Sequence, residues 1–302
     1  MWLRLLSIFV DVVVPVFAIV GLAYALGPRL QLDVRTLSRA AYSLFVPAFT
    51  FDVISRASVP PAHAVRMAAF IAVAHLLPAA IAWVFARAIG RSREMTAALV
   101  MLAVFGNVGN FGLALVQFRL GDAAVAPATI YFIATLVTSF VVCVGMAAWV
   151  RGGGASAAWQ VAKTPALIVV IPALALSASG IAPPVVVQRT VGLLGDAMIP
   201  VMLVVLGLQL RETPITRLST DVLFASGLRL AVGPALAAVL APLFSLTGVD
   251  RGAGILQAGM PAAVLVSIIA VEYRVAPAFV MTAVFFSTVC SLATLTVVMA
   301  LI

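Results

Sequence analysis

Gly106-Asn107-Val108-Gly109-Asn110-Phe111-Gly112 lies inside the apolar run Met95–Phe118, and that run is long enough to cross a bilayer as a helix. Three glycines in seven residues weaken the helix, because each costs backbone entropy. Two asparagines bring amide donors and acceptors to a depth where lipid offers none. Such a polar, breakable segment is tolerated at mid-membrane only where it is buried in protein or lines a cavity. Secondary transporters build substrate sites on discontinuous helices of this kind. Small residues also let neighbouring helices pack closely, so the glycines alone suit either reading; the two asparagines favour a site.

Working outward, the chain of 302 residues is 64% hydrophobic and 9% charged, against about 25% charged in a soluble protein. Its apolar residues come in runs of about twenty, the length of a spanning helix, and the alternation of a membrane barrel is absent. The expectation is an all-α polytopic membrane protein. Spans are placed at Leu5–Leu26, Leu37–Ile54, Ala64–Ile89, Met95–Phe118 and Pro127–Val150, then at Pro165–Ile181, Val191–Leu210, Val222–Leu246, Gly252–Tyr273 and Ala276–Ile302. Asp11 interrupts the apolar region of a signal-like start and the run continues to Leu26, so the first span is read as retained. The net charge of +8 is scattered through short loops, where it sets orientation and does not signal nucleic-acid binding. Cys143 and Cys290 each lie in an apolar run; no Cys/His spacing suggests a metal site or a disulfide framework, and no cofactor is expected.

The ten spans fall into two sets of five around the glycine-rich stretch that begins at Arg151. Residues 1–150 form a first repeat, 151–164 a connecting loop and 165–302 a second repeat. Prolines support the duplication: Pro15 and Pro172 are 157 apart, Pro47 and Pro200 153, and Pro78 and Pro234 156. Five is odd, so the second repeat is inverted in the membrane, as in many transporters. Loops on one side hold Arg29, Arg35, Arg39, Arg87, Arg91, Arg93, Arg151, Lys163, Arg211, Arg217 and Arg274. The other side holds only Arg4, Arg56, Arg66, Arg119, Arg189 and Arg251. The excess puts the first group in the cytoplasm and both termini outside it, in a cell inner (plasma) membrane protein.

The same offset pairs span 4 with span 9, and Asn107 with Pro261. Span 9 is broken too, at Gln257-Ala258-Gly259-Met260-Pro261, where proline removes a helix bond and clashes with the preceding turn. Two antiparallel broken helices can cross at mid-membrane. Each half-helix N-terminus then offers free N–H groups and a positive dipole end. Together they make an anion site without a charged side chain. The candidate substrate-binding residues are Asn107, Asn110, Gly106, Gly109, Gly259 and Pro261: amide donors for a carboxylate from the asparagines, close backbone approach at Gly109 and Gly259.

Here the pattern resembles a known family. Phe105–Phe118, followed by Gly121, resembles the fourth helix of auxin efflux carrier family transporters. Leu37-Ser38 with Phe45–Phe51 resembles the second helix, Pro200–Leu210 the seventh and Gly259-Met260-Pro261 the ninth. That family includes plant auxin exporters and bacterial carriers of small carboxylates such as malonate. The resemblance implies a crossed-helix fold like that of sodium/proton antiporters and an elevator type of alternating access. It also implies a scaffold of spans 1, 2, 6 and 7, a transport domain of spans 3–5 and 8–10, and a homodimer joined through spans 2 and 7, the latter carrying Gly207. Plant members usually carry proline at the first crossing; span 4 here has none, so glycine must break it. The long cytoplasmic loop of many plant members is also missing.

Ionisable groups inside spans are costly and are functional candidates. His75 is either a proton carrier or a neutral histidine bonded to backbone freed by Pro78; the second needs only one partner and is preferred. Arg229 is expected to snorkel to the cytoplasmic interface or, failing that, to touch substrate. Asp11, Asp52 and Asp196 read as interfacial anchors. No carboxylate lies next to either break, so a hard-cation site would fall to carbonyls and Gln257. The leading function is a carrier of a small organic anion; the alternatives are a cation/proton antiporter of the same fold and a sensor without flux. An intramembrane enzyme would need a nucleophile–base pair or metal ligands, and none is found.

Overall fold

The structure, a computed structural model, describes residues 6–56, 60–151, 165–212 and 218–302. The expected connecting loop beyond Arg151 lies outside the described residues. Those described are helical throughout, with no strand among them. Among the described residues six helices are long and apolar enough to cross a membrane: α1 (Leu6–Leu26), α3 (Pro61–Ala88), α5 (Asp122–Arg151), α7 (Val185–Glu212), α8 (Thr220–Phe244) and α10 (Pro277–Leu301). The other expected spans are helical too, but each is charged, short or split. The helix α2 (residues 34–56) carries Arg35, Arg39, Asp52 and Arg56. Helix α6 (Pro165–Ser179) has 15 residues. The fourth is divided into α4a (Arg93–Val104) and α4b (residues 108–120), the ninth into α9a (Gly248–Ala258) and α9b (Val264–Glu272). Side-chain caps mark several starts. Asp33 accepts from the Thr36 N–H at the head of α2, and the two Thr36 hydrogen bonds hold its carboxyl below the usual carboxylate range. Ser92 caps α4a and Ser219 caps α8, each replacing a missing intrahelical partner.

Four helices widen locally into a π turn, at Phe9–Val13, Ala41–Phe45, Val108–Gly112 and Leu228–Val232. Three of these turns stand just before a proline: Pro15, Pro47 and Pro234. A proline has no N–H to give and its ring crowds the carbonyl four residues back, so the helix widens there instead of breaking. The fourth turn has no proline and begins directly after Asn107.

Helices α1, α2, α6 and α7 pack on one another, and α3, α4, α5, α8, α9 and α10 form a second group. In the first group α1 and α7 lie so close that a Cβ on Gly207 would overlap the Val20 carbonyl and the Ala23 side chain. Gly207 thus serves a contact within the chain. In the second group α4a is enclosed on every side: residues 96–104 are all buried. Only a helix surrounded by protein can stop at this depth without exposing backbone to lipid.

Among the described residues a hydrogen bond and an ion pair tie the second group at its edges. His63 at the start of α3 meets Asp250 at the start of α9a, 2.7 Å apart. Arg91, just before α4a, meets Asp221 at the start of α8 at 3.1 Å.

Candidate functional site at the helix crossing

Helix α4a ends at Val104. Phe105 is extended (φ −102°, ψ 93°), and Asn107 is again outside the helical range (φ −78°, ψ 55°). Helix α9a ends at Ala258, and Ala263 is extended (φ −70°, ψ 139°) before α9b begins. The two interruptions cross, with Gly106 and Ala262 opposed in an antiparallel bridge. Asn107 N–H donates to the Pro261 carbonyl at 2.7 Å, and Ala263 N–H to the Phe105 carbonyl at 2.9 Å. Backbone that leaves a helix inside a membrane must find other partners, and here each interruption supplies the other's.

The C-terminal ends of α4a and α9a are closed by α8. Arg229, 1% exposed, donates from Nη1 to the Ala103 carbonyl at 3.0 Å and from Nε to the Met260 carbonyl at 2.8 Å. Its Nη2 lies 2.9 Å from His75 Nε2. His75 Nδ1 is 2.8 Å from the Ile71 carbonyl, and a carbonyl can only accept. Nδ1 therefore carries the proton, Nε2 accepts from Arg229, and the imidazole is neutral. A guanidinium between two helix C-termini is electrostatically matched to both, and its planar fork reaches three acceptors at once. Arg229 thus does not snorkel: it is the bolt of the crossing. Its guanidinium occupies the space in front of Gly106, where any Cβ would overlap Nη2. His75 bonds Ile71, whereas the carbonyl that Pro78 frees is that of Ala74. The Ser139 hydroxyl donates to the Val104 carbonyl at 3.0 Å, and Ala262 N–H donates to the Ser287 hydroxyl at 3.2 Å.

The N-terminal ends of α4b and α9b face a small cavity of about 20 Å³, lined by Phe105 to Gly109, Phe132, Leu136 and Ala263 to Leu265. The opening turn of a helix has N–H groups without intrahelical partners, and two such turns meet here. Asn107 lines the cavity, is 3% exposed, and its Nδ2 has no hydrogen-bond partner. A buried, unpaired donor is costly and calls for an explanation. Gly109 lines the same cavity against Phe132, whose ring a Cβ would crowd at 2.8 Å.

The remaining candidates lie around this centre. Asn110 falls in the π turn of α4b; its side chain lies outside the described residues. Pro261 provides the carbonyl that Asn107 uses. Gly259 packs on Pro234, its Cβ position 3.3 Å from that ring. Gln257 is fully buried with neither amide atom bonded; it stands against Gly112, where a Cβ would lie 2.7 Å from Oε1, and it is not among the cavity's lining residues. Among the described residues no three His, Cys, Asp or Glu gather to hold a metal. Ser139, Ser287 and the clamp role of Arg229 were not legible beforehand. One signal pointed to the last: His75 and Arg229 are 154 apart in sequence, the same separation as Asn107 and Pro261.

The model of a family described as "Membrane transport protein" matches residues 8–154 and 154–299. The chain belongs to this family. It is the auxin efflux carrier family of the resemblance described above. An uncharacterized transporter of Methanothermobacter thermautotrophicus is 25% identical over 289 residues, covering 94% of this chain and 95% of that relative. Membership makes the chain a multi-pass membrane transporter, and a family of transporters accords with a helical bundle in which two helices are interrupted and cross.

Proposed function

We propose that the chain is a secondary carrier of a small organic anion, a carboxylate, held where α4 and α9 cross. The observation that carries the reading is the unpaired amide of Asn107, buried in a cavity between two half-helix N-termini. Two positive dipole ends and a neutral amide donor attract an anion, while the one guanidinium of the crossing is engaged by two carbonyls and an imidazole. Arg229 supports the same sign. Its guanidinium already fills the carbonyl ends of α4a and α9a, the groups a hard cation would need, and no carboxylate is bonded to it. A cation/proton antiporter of the same fold is therefore the weaker reading.

The inverted five-helix repeat belongs to this proposal. An offset of 156 residues, that of Pro78 and Pro234, carries Gly106 onto Ala262 and exchanges the two bonds flanking their bridge. The two edge contacts, His63–Asp250 joining the starts of α3 and α9a and Arg91–Asp221 those of α4a and α8, follow the same symmetry. The grouping of α1, α2, α6 and α7 apart from the other helices supports a static scaffold and a moving transport domain, hence an elevator. The outward apolar side chains of α6 and α7, such as Ile171, Val186 and Leu193, are where lipid or a second copy would lie. A thermal-shift screen of the purified protein against mono- and dicarboxylates tests the reading, since binding raises apparent stability by mass action. Stabilisation by cations alone, with no response to any carboxylate, would overturn it.

A further inference from the structure

A second cavity leads towards the crossing. It has a volume of about 540 Å³ and opens between the head of α2, the end of α7, α9b and α10. Its lining follows α9b from Glu272 at the edge to Val264 at the first turn, about 12 Å at the rise of a helix. Val264 also lines the Asn107 cavity, so this one residue borders both spaces. The small cavity, at about 20 Å³, is large enough for roughly one water and too small for any carboxylate. Something must move before an anion reaches Asn107, and on the cleft side the intervening residue is Val264.

We propose that the cleft is the aqueous route to the Asn107 cavity and that Val264 is the gate between them, setting the size of anion admitted. The inference rests on the carrier reading. The mouth of the cleft bears Arg35 and Arg39 against Glu212 and Glu272, so it has no net charge and selects neither sign. Selection for an anion is left to the half-helix ends beyond the gate. Val264 is 6% exposed and β-branched, and so is stiff at χ1. The Ser267 hydroxyl donates to the Val264 carbonyl at 2.6 Å and holds the first turn of α9b in place. The valine moves with that turn or not at all. On the charge rule that places the loop after α9b inside, the route opens to the cytoplasm.

The test reads thiol reactivity in membranes and needs no substrate, so failure of the carboxylate reading would leave it untouched. In a background with Cys143 and Cys290 replaced by serine, Ile268→Cys reports on the cleft and Leu136→Cys on the Asn107 cavity. The probe is a sulfonated, membrane-impermeant methanethiosulfonate added to inside-out vesicles. Ile268→Cys should react readily whatever stands at 264. Leu136→Cys should react slowly beside Val264, about tenfold faster beside Val264→Ala, the factor that ~1.4 kcal/mol off a barrier gives, and not at all beside Val264→Trp. Leu265→Cys, in the same cavity wall, repeats the reading if Leu136→Cys does not fold. An unreactive Ile268→Cys would mean a cleft filled by lipid, and equal rates in all three Val264 backgrounds would put the gate elsewhere; either result overturns the proposal.

Discussion

Arg229 and His75 are 154 residues apart in sequence and 2.9 Å apart in space. They come from α8 and α3, and between them they fix the end of α4a and the turn after α9a. A buried arginine without a carboxylate is unusual, since its charge must be compensated locally. Here the compensation is two carbonyls at helix C-termini and a neutral imidazole. The crossing thus contains a positive charge held by its own hydrogen bonds, beside a cavity lined by apolar side chains, the two half-helix starts and the Asn107 amide.

The glycine before Asn107 exists for that charge. A Cβ at position 106 would overlap the Arg229 guanidinium, so Gly106→Ala should displace it and unpair the Ala103 and Met260 carbonyls. Unsatisfied buried acceptors cost about 1–3 kcal/mol each. Arg229→Met should also lower stability, for the same two carbonyls. In the Arg229→Met background the added methyl meets no guanidinium, so Gly106→Ala should cost little more. The expected coupling is about 0.5–3 kcal/mol, read as melting temperatures of the two single variants and the double. Additive losses would show that Gly106 and Arg229 act separately.

How much of this was legible beforehand divides along physical lines. The helical segments follow from hydropathy, which depends on local composition, and α3, α5, α8 and α10 lie within a few residues of where the apolar runs end. The break points are less local. Glycine weakens a helix without deciding where it stops, and Gly109 and Gly112 end up inside a helical turn. The chain leaves the helix at Phe105 because Arg229, 126 residues on from Ala103, takes the carbonyl there. Tertiary hydrogen bonds of that range leave no trace in a window of twenty residues. The mistaken expectation for Arg229 has the same root: depth along a span says how far a side chain is from the interface, but not that three acceptors wait for it inside.

Orientation is proposed from eleven basic residues against six in the two sets of loops, since the richer side of such an asymmetry generally faces the cytoplasm. A reporter active only in the cytoplasm should therefore stay silent when fused after Ile302. Strong activity would invert the topology and, with it, the side to which the α2–α9b cleft opens.

A homodimer, if the family resemblance carries over, must use surfaces that the chain leaves uncovered. Gly207 is spent on α1, whereas Val186 and Leu193 on the first half of α7 are 76% exposed. Single cysteines at 186 or 193 should cross-link between copies in native membranes. Cross-linking from α5 or α10 alone would move the contact to the other helix group and reverse the assignment of the static domain.

The site itself is tested at Asn107 and Asn110. Asparagine is neutral, so its amide can bind a carboxylate with no permanent buried charge to desolvate on release. Replacing either by leucine removes the amide at similar bulk. The expected loss for a hydrogen bond to a charged group is about 1–3 kcal/mol of binding, or roughly ten- to hundredfold in affinity. For Asn107 the fold should be spared, because Nδ2 has no partner in the protein to lose; removing an unpaired buried donor should leave the melting temperature unchanged or slightly raised. Leu113→Ala gives the contrast. Leu113 is 2% exposed at the start of the regular part of α4b, and truncating a buried leucine costs about 2–5 kcal/mol, so stability should fall while affinity changes little. Affinity for whichever carboxylate stabilises the wild type, measured beside melting temperature for each variant, separates the two. If Asn107→Leu and Asn110→Leu both bind normally, or if both simply unfold, the stretch is a packing motif and the anion is held elsewhere.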